Sequence, residues 1–258
     1  MEIKYSVTPC GEYTLIRNEN GPVLGMGNLR LKEADGYAFK NLSGQNQLLP
    51  YEDWRLAPEE RARDLASRLS IDQIAGLMLW SPHQMVPFYP GMPFKGHYDG
   101  SEFVPGMDPA ALTDEQKSFV TRENLRNILL MQTECADTAA RWNNKLQNLA
   151  ENSQWGIPVC ISSDPRHAAG KKGAEFPGTG KEVSRWPEGL GMAATFDPAL
   201  MKRFAQIIAT EYRALGISQA LGPQIDLCTE PRWMRLEDTM GAQVDMVTAF
   251  AKAYCDGL

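Results

Sequence analysis

The sequence has no apolar run approaching the roughly 20 residues that span a bilayer, and no surplus of basic charge. Its 258 residues carry a formal net charge of −6, whereas a nucleic-acid face needs clustered lysine and arginine. Neither a membrane span nor a nucleic-acid partner is therefore expected. Histidine is scarce: His83, His97 and His167 are the only three. With the five cysteines (Cys10, Cys135, Cys160, Cys228 and Cys255) they form no cluster with zinc-ligand spacing, so no metal site is expected. The cysteines are odd in number and never spaced C-x-x-C, which points to free thiols rather than a disulfide frame. No G-x-S-x-G elbow is present. The stretch "GTGKEVSR" at 178–185 lacks the spacing of a phosphate-binding loop. The first thirty residues contain no unbroken apolar core of a signal peptide, and the native location stays open.

What is present is ordinary for a globular chain: 43% hydrophobic and 22% charged residues. The texture changes near residue 50. Before it, "EYTLIR", "NENG" and "PVLGMG" read as strand, turn and strand, with Asn20–Gly21 suited to positive φ in the turn. Residues 1–50 are thus expected to form a small β-rich extension. From Tyr51 the chain alternates helical and strand-like segments. Pro58 opens a helix with Ala62, Leu65, Ala66 and Leu69 on one stripe. Ser70 caps a second, with Gln73 as its capping-box partner. The clearest helix has Asp197 as N-cap and Pro198 at its first position. It carries Leu200, Phe204, Ile207, Ile208, Tyr212 and Leu215 on its apolar face, and Gly216 ends it. Further helices are expected over 134–153 and 242–258.

Strands are expected at "GLMLW" (76–80), "NILLM" (127–131), "IPVCISSD" (157–164), "GLGMAAT" (189–195) and "ISQALGPQIDL" (217–227). Between the first two, residues 81–112 are dense in proline and glycine and read as a long loop. Its aromatic residues Phe88, Tyr89, Phe94 and Tyr98 suit either a packed surface loop or contacts with sugar rings.

Strands alternating with helices imply parallel pairing. In parallel β/α proteins ligand groups sit at the C-terminal ends of strands. That rule singles out Asp164, at the end of its strand, and "TEPRWMRLEDTMG" (229–241), after the last one. A carboxylate there accepts hydrogen bonds from hydroxyls, and a guanidinium fork donates several in fixed directions, so Asp164 with Arg235 could grip an uncharged polyol. The structural alternatives are a turn carboxylate before Pro165, and an Arg232 that only bridges Glu230 or Glu237. Trp233 reads as core.

The stretch "SRWPEGLGMAATFDPALMKRFAQIIATEYRALGISQALGPQIDLCTEPRWMRLEDTMG" resembles the N-terminal barrel domain of glycoside hydrolase family 3. The family pattern there runs F-P-x-x-x-G-L-A-A-T-x-D-P, E-x-R-A-x-G-I and P-x-x-D-x-x-x-D-P-R-W-G-R-x-x-E-T-F-G. Upstream, "GIPVCISSD" resembles the family's G-I-P segment, and "YEDWRLAPEERARDLASRLSIDQIAGLML" its opening helix. The resemblance covers residues 51–258 with gaps. It implies a (β/α)8 barrel fold, a β-glucosidase-like hydrolysis of O-glycosidic bonds, a glycoside or oligosaccharide substrate, and no cofactor. By the same resemblance Asp164 and Arg235 contact the sugar, while Arg232 and Glu237 brace the loop. Met234 and Met240 stand where the family has Gly and Phe, and Asp164 is followed by "PRHAAG" in place of A-V-H-G.

Retaining glycosidases need two carboxyl groups. The resemblance places the nucleophile late in the barrel and the acid/base in a following domain, with a K-H-F motif between; no K-H-F occurs in this sequence. Only about five strands are expected, against eight in a full barrel. The expectation is an α/β chain forming the N-terminal, incomplete portion of a (β/α)8 barrel over 51–258, catalytically silent without the rest of the same protein. The rival readings are a non-catalytic carbohydrate-binding module or pseudo-enzyme, and a different enzyme on the same scaffold.

Overall fold

A computed structural model describes residues 2–28, 30–91, 96–164, 167 and 182–258. "PRHAAG" apart from His167, the first half of "GTGKEVSR" (178–181) and Phe94 lie outside the described residues. The extension is built of β1 (Tyr5–Cys10), β2 (Tyr13–Asn18) and β3 (Val23–Met26) in one antiparallel sheet, and β4 (Leu31–Ala34) and β5 (Tyr37–Lys40) in a second. Asn20 does take positive φ, 53°, in the turn between β2 and β3. Ile16, Met26 and Ala38 are buried between the two sheets. The extension docks on the turn that leads into the helical part: Trp54 stacks on Phe39 at 5.4 Å and donates its indole N–H to the Ala38 carbonyl.

Then come α1 (Pro58–Ala66), α2 (Ile71–Leu77), β6 (Gln84–Val86), α3 (Asp114–Thr121), β7 (Asn127–Thr133), α4 (Ala136–Glu151), β8 (Cys160–Ser163), α5 (Gly189–Ala193), α6 (Pro198–Leu215), β9 (Gln219–Ala220) and α7 (Val244–Cys255). The four strands β6 to β9 form one parallel sheet in sequential order. That order is the wall of a (β/α)8 barrel; a doubly wound sheet would reverse at a switch point. Lys40 of β5 pairs with Glu151 at the end of α4, which ties the extension to this wall.

The core lies between sheet and helices. Ile128, Leu130 and Ile161 point outward from the strands onto Trp142 and Leu146 of α4, Phe204 and Ile208 of α6, and Phe250 of α7. Period-2 alternation then sends Met131 of β7, Ser162 of β8 and, by the same count, Asp164 to the other, concave side. Below the sheet, Arg126 is 5% exposed and, among the described residues, no carboxylate meets it. It donates to Val120, Leu125 and Ile157 carbonyls and to Ser153 Oγ. Val120 lies in the last turn of α3 and Ser153 two residues past α4, so two of the four acceptors sit by helix C-termini, whose dipoles supply negative potential.

Helix termini follow their sequence signals. Asp197 Oδ1 accepts from the amides of Ala199 and Leu200, at 2.9 and 3.2 Å. Ser70 and Gln73 make both bonds of a capping box. Gly216 has φ +82°, and a Cβ there would lie 2.7 Å from the Asn143 side chain, whose Nδ2 donates to the Leu215 carbonyl. Gly216→Ala combines left-handed strain with displacement of that bond, and should destabilise the protein by roughly 2–3 kcal/mol. Denaturant titration checks this; a change below about 0.5 kcal/mol, typical of an inert surface site, would mean the helix end adapts freely.

Several strand expectations fail. "GLMLW" is not a buried strand: the capped helix α2 runs through Leu77, and Met78, Leu79 and Trp80 are 82%, 54% and 50% exposed. The strand falls instead at Gln84–Val86, inside the stretch read as loop. "GLGMAAT" is helix α5, since a short apolar run of small residues carries no period to separate the two states. Of "ISQALGPQIDL" only the stretch from Ser218 to Leu221 bonds the sheet, with the strand itself at Gln219–Ala220; beyond it Pro223 has no N–H to donate and Ile225 is 60% exposed. The parallel sheet therefore has four strands among the described residues, not five. The stripe on α1 is also not core: Ala62 and Ala66 are exposed, and Leu65 and Leu69 half-buried.

Candidate functional site

The C-terminal ends of β6 to β9 form one mouth. Asp164 follows β8 directly and is half-buried. Its register neighbour is the start of the loop after β9, where the Leu221 amide bonds the Ser163 carbonyl at 3.0 Å. Glu134 follows β7 in the same way, and Tyr89, three residues past β6, places its hydroxyl 3.5 Å from the Glu134 carboxylate. The other aromatic residues of the 81–112 stretch divide. Phe88 and Tyr98 are buried with Met85 and Phe103, and Tyr98 Oη accepts from the Phe88 amide, so these two are packing residues.

Residues 229–241 make a compact loop closed at its base, where the Cys228 amide bonds the Gly241 carbonyl at 3.0 Å. Short loops with adjoining ends hold their own side chains in place. Met240 is buried in the main core, and Gly189 of α5 lies so close to the Asp238 backbone that no side chain would fit between them. Trp233 is half-buried rather than core, and Met234 is 78% exposed.

Within this loop the two arginines differ. Arg232 folds back on Glu230, with its Nε and Nη2 at 2.8 and 2.9 Å from the two carboxylate oxygens. That bond holds the Glu230 carboxyl down to about 2. The pair is solvent-exposed, so it shapes the loop locally and contributes little to stability. Arg235 is exposed and sends Nη2 to Gln224 Oε1 at 2.6 Å. Gln224 lies four residues past β9, so the guanidinium is tethered to the loop that follows β9, the strand paired with β8. Glu237 is half-buried in the single turn Leu236–Asp238 that comes next.

Sequence reasoning missed a polar cluster behind Asp164. The Asp164 carbonyl accepts from Tyr212 Oη of α6. His167 is 1% exposed, with Nε2 2.7 Å from Glu211 Oε2. Burial lowers the imidazole's pKa, outweighing the neighbouring Glu211 charge. Glu211 also accepts the Ser184 amide and hydroxyl, both at 3.0 Å. The sequence signal was slight: a glutamate and a tyrosine side by side near the end of an amphipathic helix. Among the described residues no group of His, Cys, Asp and Glu could hold a metal ion.

Comparison with known proteins agrees with this architecture. The sequence model described as Glycosyl hydrolase family 3 N terminal domain matches residues 96–258. A periplasmic beta-glucosidase/beta-xylosidase of Dickeya chrysanthemi is 38% identical over 92% of this chain and 34% of its own length. A probable beta-glucosidase C of Aspergillus oryzae is 33% identical over 84% of this chain and 32% of its own. The chain thus spans about a third of the length of the curated relatives it matches. Among solved structures, a β-glucosidase from Erythrobacter marinus superposes with a TM-score of 0.57 at 25% identity, covering 81% of this chain and 24% of that one. A β-glucoside phosphorylase gives 0.56 at 19% identity, over 81% of this chain and 31% of that one, a likeness of fold alone. The family model covers more than half of the chain and a relative is 38% identical over 92% of it: the chain belongs to glycosyl hydrolase family 3.

Proposed function

We propose that this chain supplies one side of the sugar-binding mouth of a retaining β-glycosidase acting on β-glucosides or β-xylosides. In this reading residues 1–50 are a β-rich extension and residues 51–258 the first part of the barrel. The observation that carries it is the position of Asp164, the first residue past β8, on the concave side of the sheet by strand alternation. A carboxylate held there accepts from two sugar hydroxyls at once. Arg235, tethered through Gln224 to the loop after the neighbouring strand, donates from the other side. Together they orient a neutral ring without needing charge on the substrate. Arg232 and Glu237 keep the loop in shape. The substrate class is that of the relatives, one of which is named for both β-glucosidase and β-xylosidase activity. Bond cleavage itself needs a carboxyl pair about 5–5.5 Å apart, which this reading assigns to parts of the protein outside residues 1–258.

The test compares the complete gene product with residues 1–258 expressed alone, on 4-nitrophenyl β-glucoside and β-xyloside. The complete protein should turn over at least one of them, and residues 1–258 neither. Turnover by the isolated segment, abolished by Asp164→Ala, would move the carboxyl pair into this chain. Absence of turnover by the complete protein on both would remove the assigned substrate class.

A further inference from the structure

We infer that Tyr212 and Glu211, neighbours on α6, are positioning residues for Asp164: they fix the backbone that carries its carboxylate. The inference rests on the reading of Asp164 as a sugar contact. A carboxylate at a strand end is only as well aimed as the peptide that bears it. The sheet holds β8 up to Ser163, whose carbonyl is bonded by Leu221. One residue further, the Asp164 carbonyl is held by a side chain from the helix layer, Tyr212 Oη, 48 positions away in sequence. That bond restrains the backbone torsion next to the Asp164 side chain.

Three residues on, the chain is fixed again. His167 packs its ring 5.3 Å from the Tyr212 ring and bonds Glu211 through Nε2. Its own carbonyl accepts the Trp186 amide at 2.7 Å. Glu211 collects Ser184 on the same carboxylate, so a single group joins residue 167 to residue 184. Phenylalanine at 212 would fill the core equally, since Tyr212 is 4% exposed and packs as an apolar ring. The hydroxyl adds the hold on Asp164. The carboxylate of Glu211 adds the hold on His167 and Ser184, with three donors converging on it.

The experiment is a double-mutant cycle in the complete protein with 4-nitrophenyl β-glucoside. Tyr212→Phe should lower kcat/KM by about three- to tenfold, the effect of one hydrogen bond, in a protein that still folds cooperatively. In an Asp164→Asn background the same change should do almost nothing, because residues that act through one another are not additive. A purely structural role would give equal losses in both backgrounds, and that result overturns the inference. So does an unchanged Tyr212→Phe beside an impaired Asp164→Asn, which leaves the sugar-contact reading standing. An unaffected Asp164→Asn sinks the sugar-contact reading and this inference with it. Should Tyr212→Phe fail to fold, Glu211→Gln enters the same cycle. It keeps the side-chain shape but sets an amide against three donors, and additivity with Asp164→Asn overturns the inference there too.

Discussion

Replacing Asp164 with alanine in the complete protein should lower kcat/KM for an aryl β-glucoside by more than about tenfold. Each hydrogen bond to a charged group contributes about 1.5–3 kcal/mol, and about 1.4 kcal/mol is a factor of ten in rate. The fold should survive, for a specific reason: Tyr212 holds the backbone carbonyl of Asp164, not its carboxylate, so truncation leaves that anchor in place. Arg232→Ala is the built-in contrast. Its side chain is 88% exposed and bonded to Glu230 two residues away, so the loss should be small. Steady-state kinetics on both variants, with melting temperatures alongside, decide the matter. An unchanged kcat/KM for Asp164→Ala would make the carboxylate a turn residue and leave Arg235 without a partner in the site.

The elements legible in the sequence are those with a local chemical cause. Asp197 and Gly216 fix α6 at both ends, because an N-cap oxygen and a left-handed glycine act within a few residues. Ser70 and Gln73 do the same for the start of α2. β7 and β8 were legible as apolar runs that occur between two turn signals. The failures are runs too short to show a period. "GLMLW" and "GLGMAAT" are equally apolar as helix or strand, and their state is set by what they join. A capping box carries the first into α2, and the close approach of Gly189 to the Asp238 backbone seats the second against the loop.

The site divides along the same line. Asp164 and Arg235 stood out because a rule about strand ends points to places in the chain, and a family resemblance points to the same residues. The cluster of Tyr212, Glu211, His167 and Ser184 did not stand out, because its bonds cross 27 to 48 positions. In sequence Tyr212 is one more large residue on an apolar stripe. Only packing against the strand end turns its hydroxyl toward Asp164.

The largest stability effect belongs to the other end of the chain. Glu52→Ala should destabilise the protein by about 3–5 kcal/mol, the usual cost of stripping one partner from a buried ion pair. The Glu52 side chain is fully buried and that of Lys32 is 5% exposed, with Nζ 2.5 Å from Oε2. Every polar atom of the pair is used. Lys32 also donates to Ser43 Oγ and the Gln47 carbonyl, and Glu52 accepts the amides of Ser43 and Leu49. Alanine would leave a buried ammonium without its counter-charge and two amides without acceptors. The bond joins β4 to the turn Pro50–Glu52, so its loss loosens the extension from the barrel. Denaturant unfolding followed by fluorescence of the six tryptophans, Trp54 at that junction among them, measures the change. The same pair sets a pH dependence. Burial alone would raise the Glu52 carboxyl, but Lys32 and the two amides outweigh it and hold it below its ordinary value. Its stabilisation is therefore complete above the ordinary carboxylate range and is lost as pH falls through the lowered value. Wild type should weaken on acidification more than Glu52→Gln, which has no carboxyl to protonate at that position. Equal acid sensitivity of the two proteins, or a Glu52→Ala loss below about 1 kcal/mol, the level of a surface pair, would mean that the bond adds nothing to the fold.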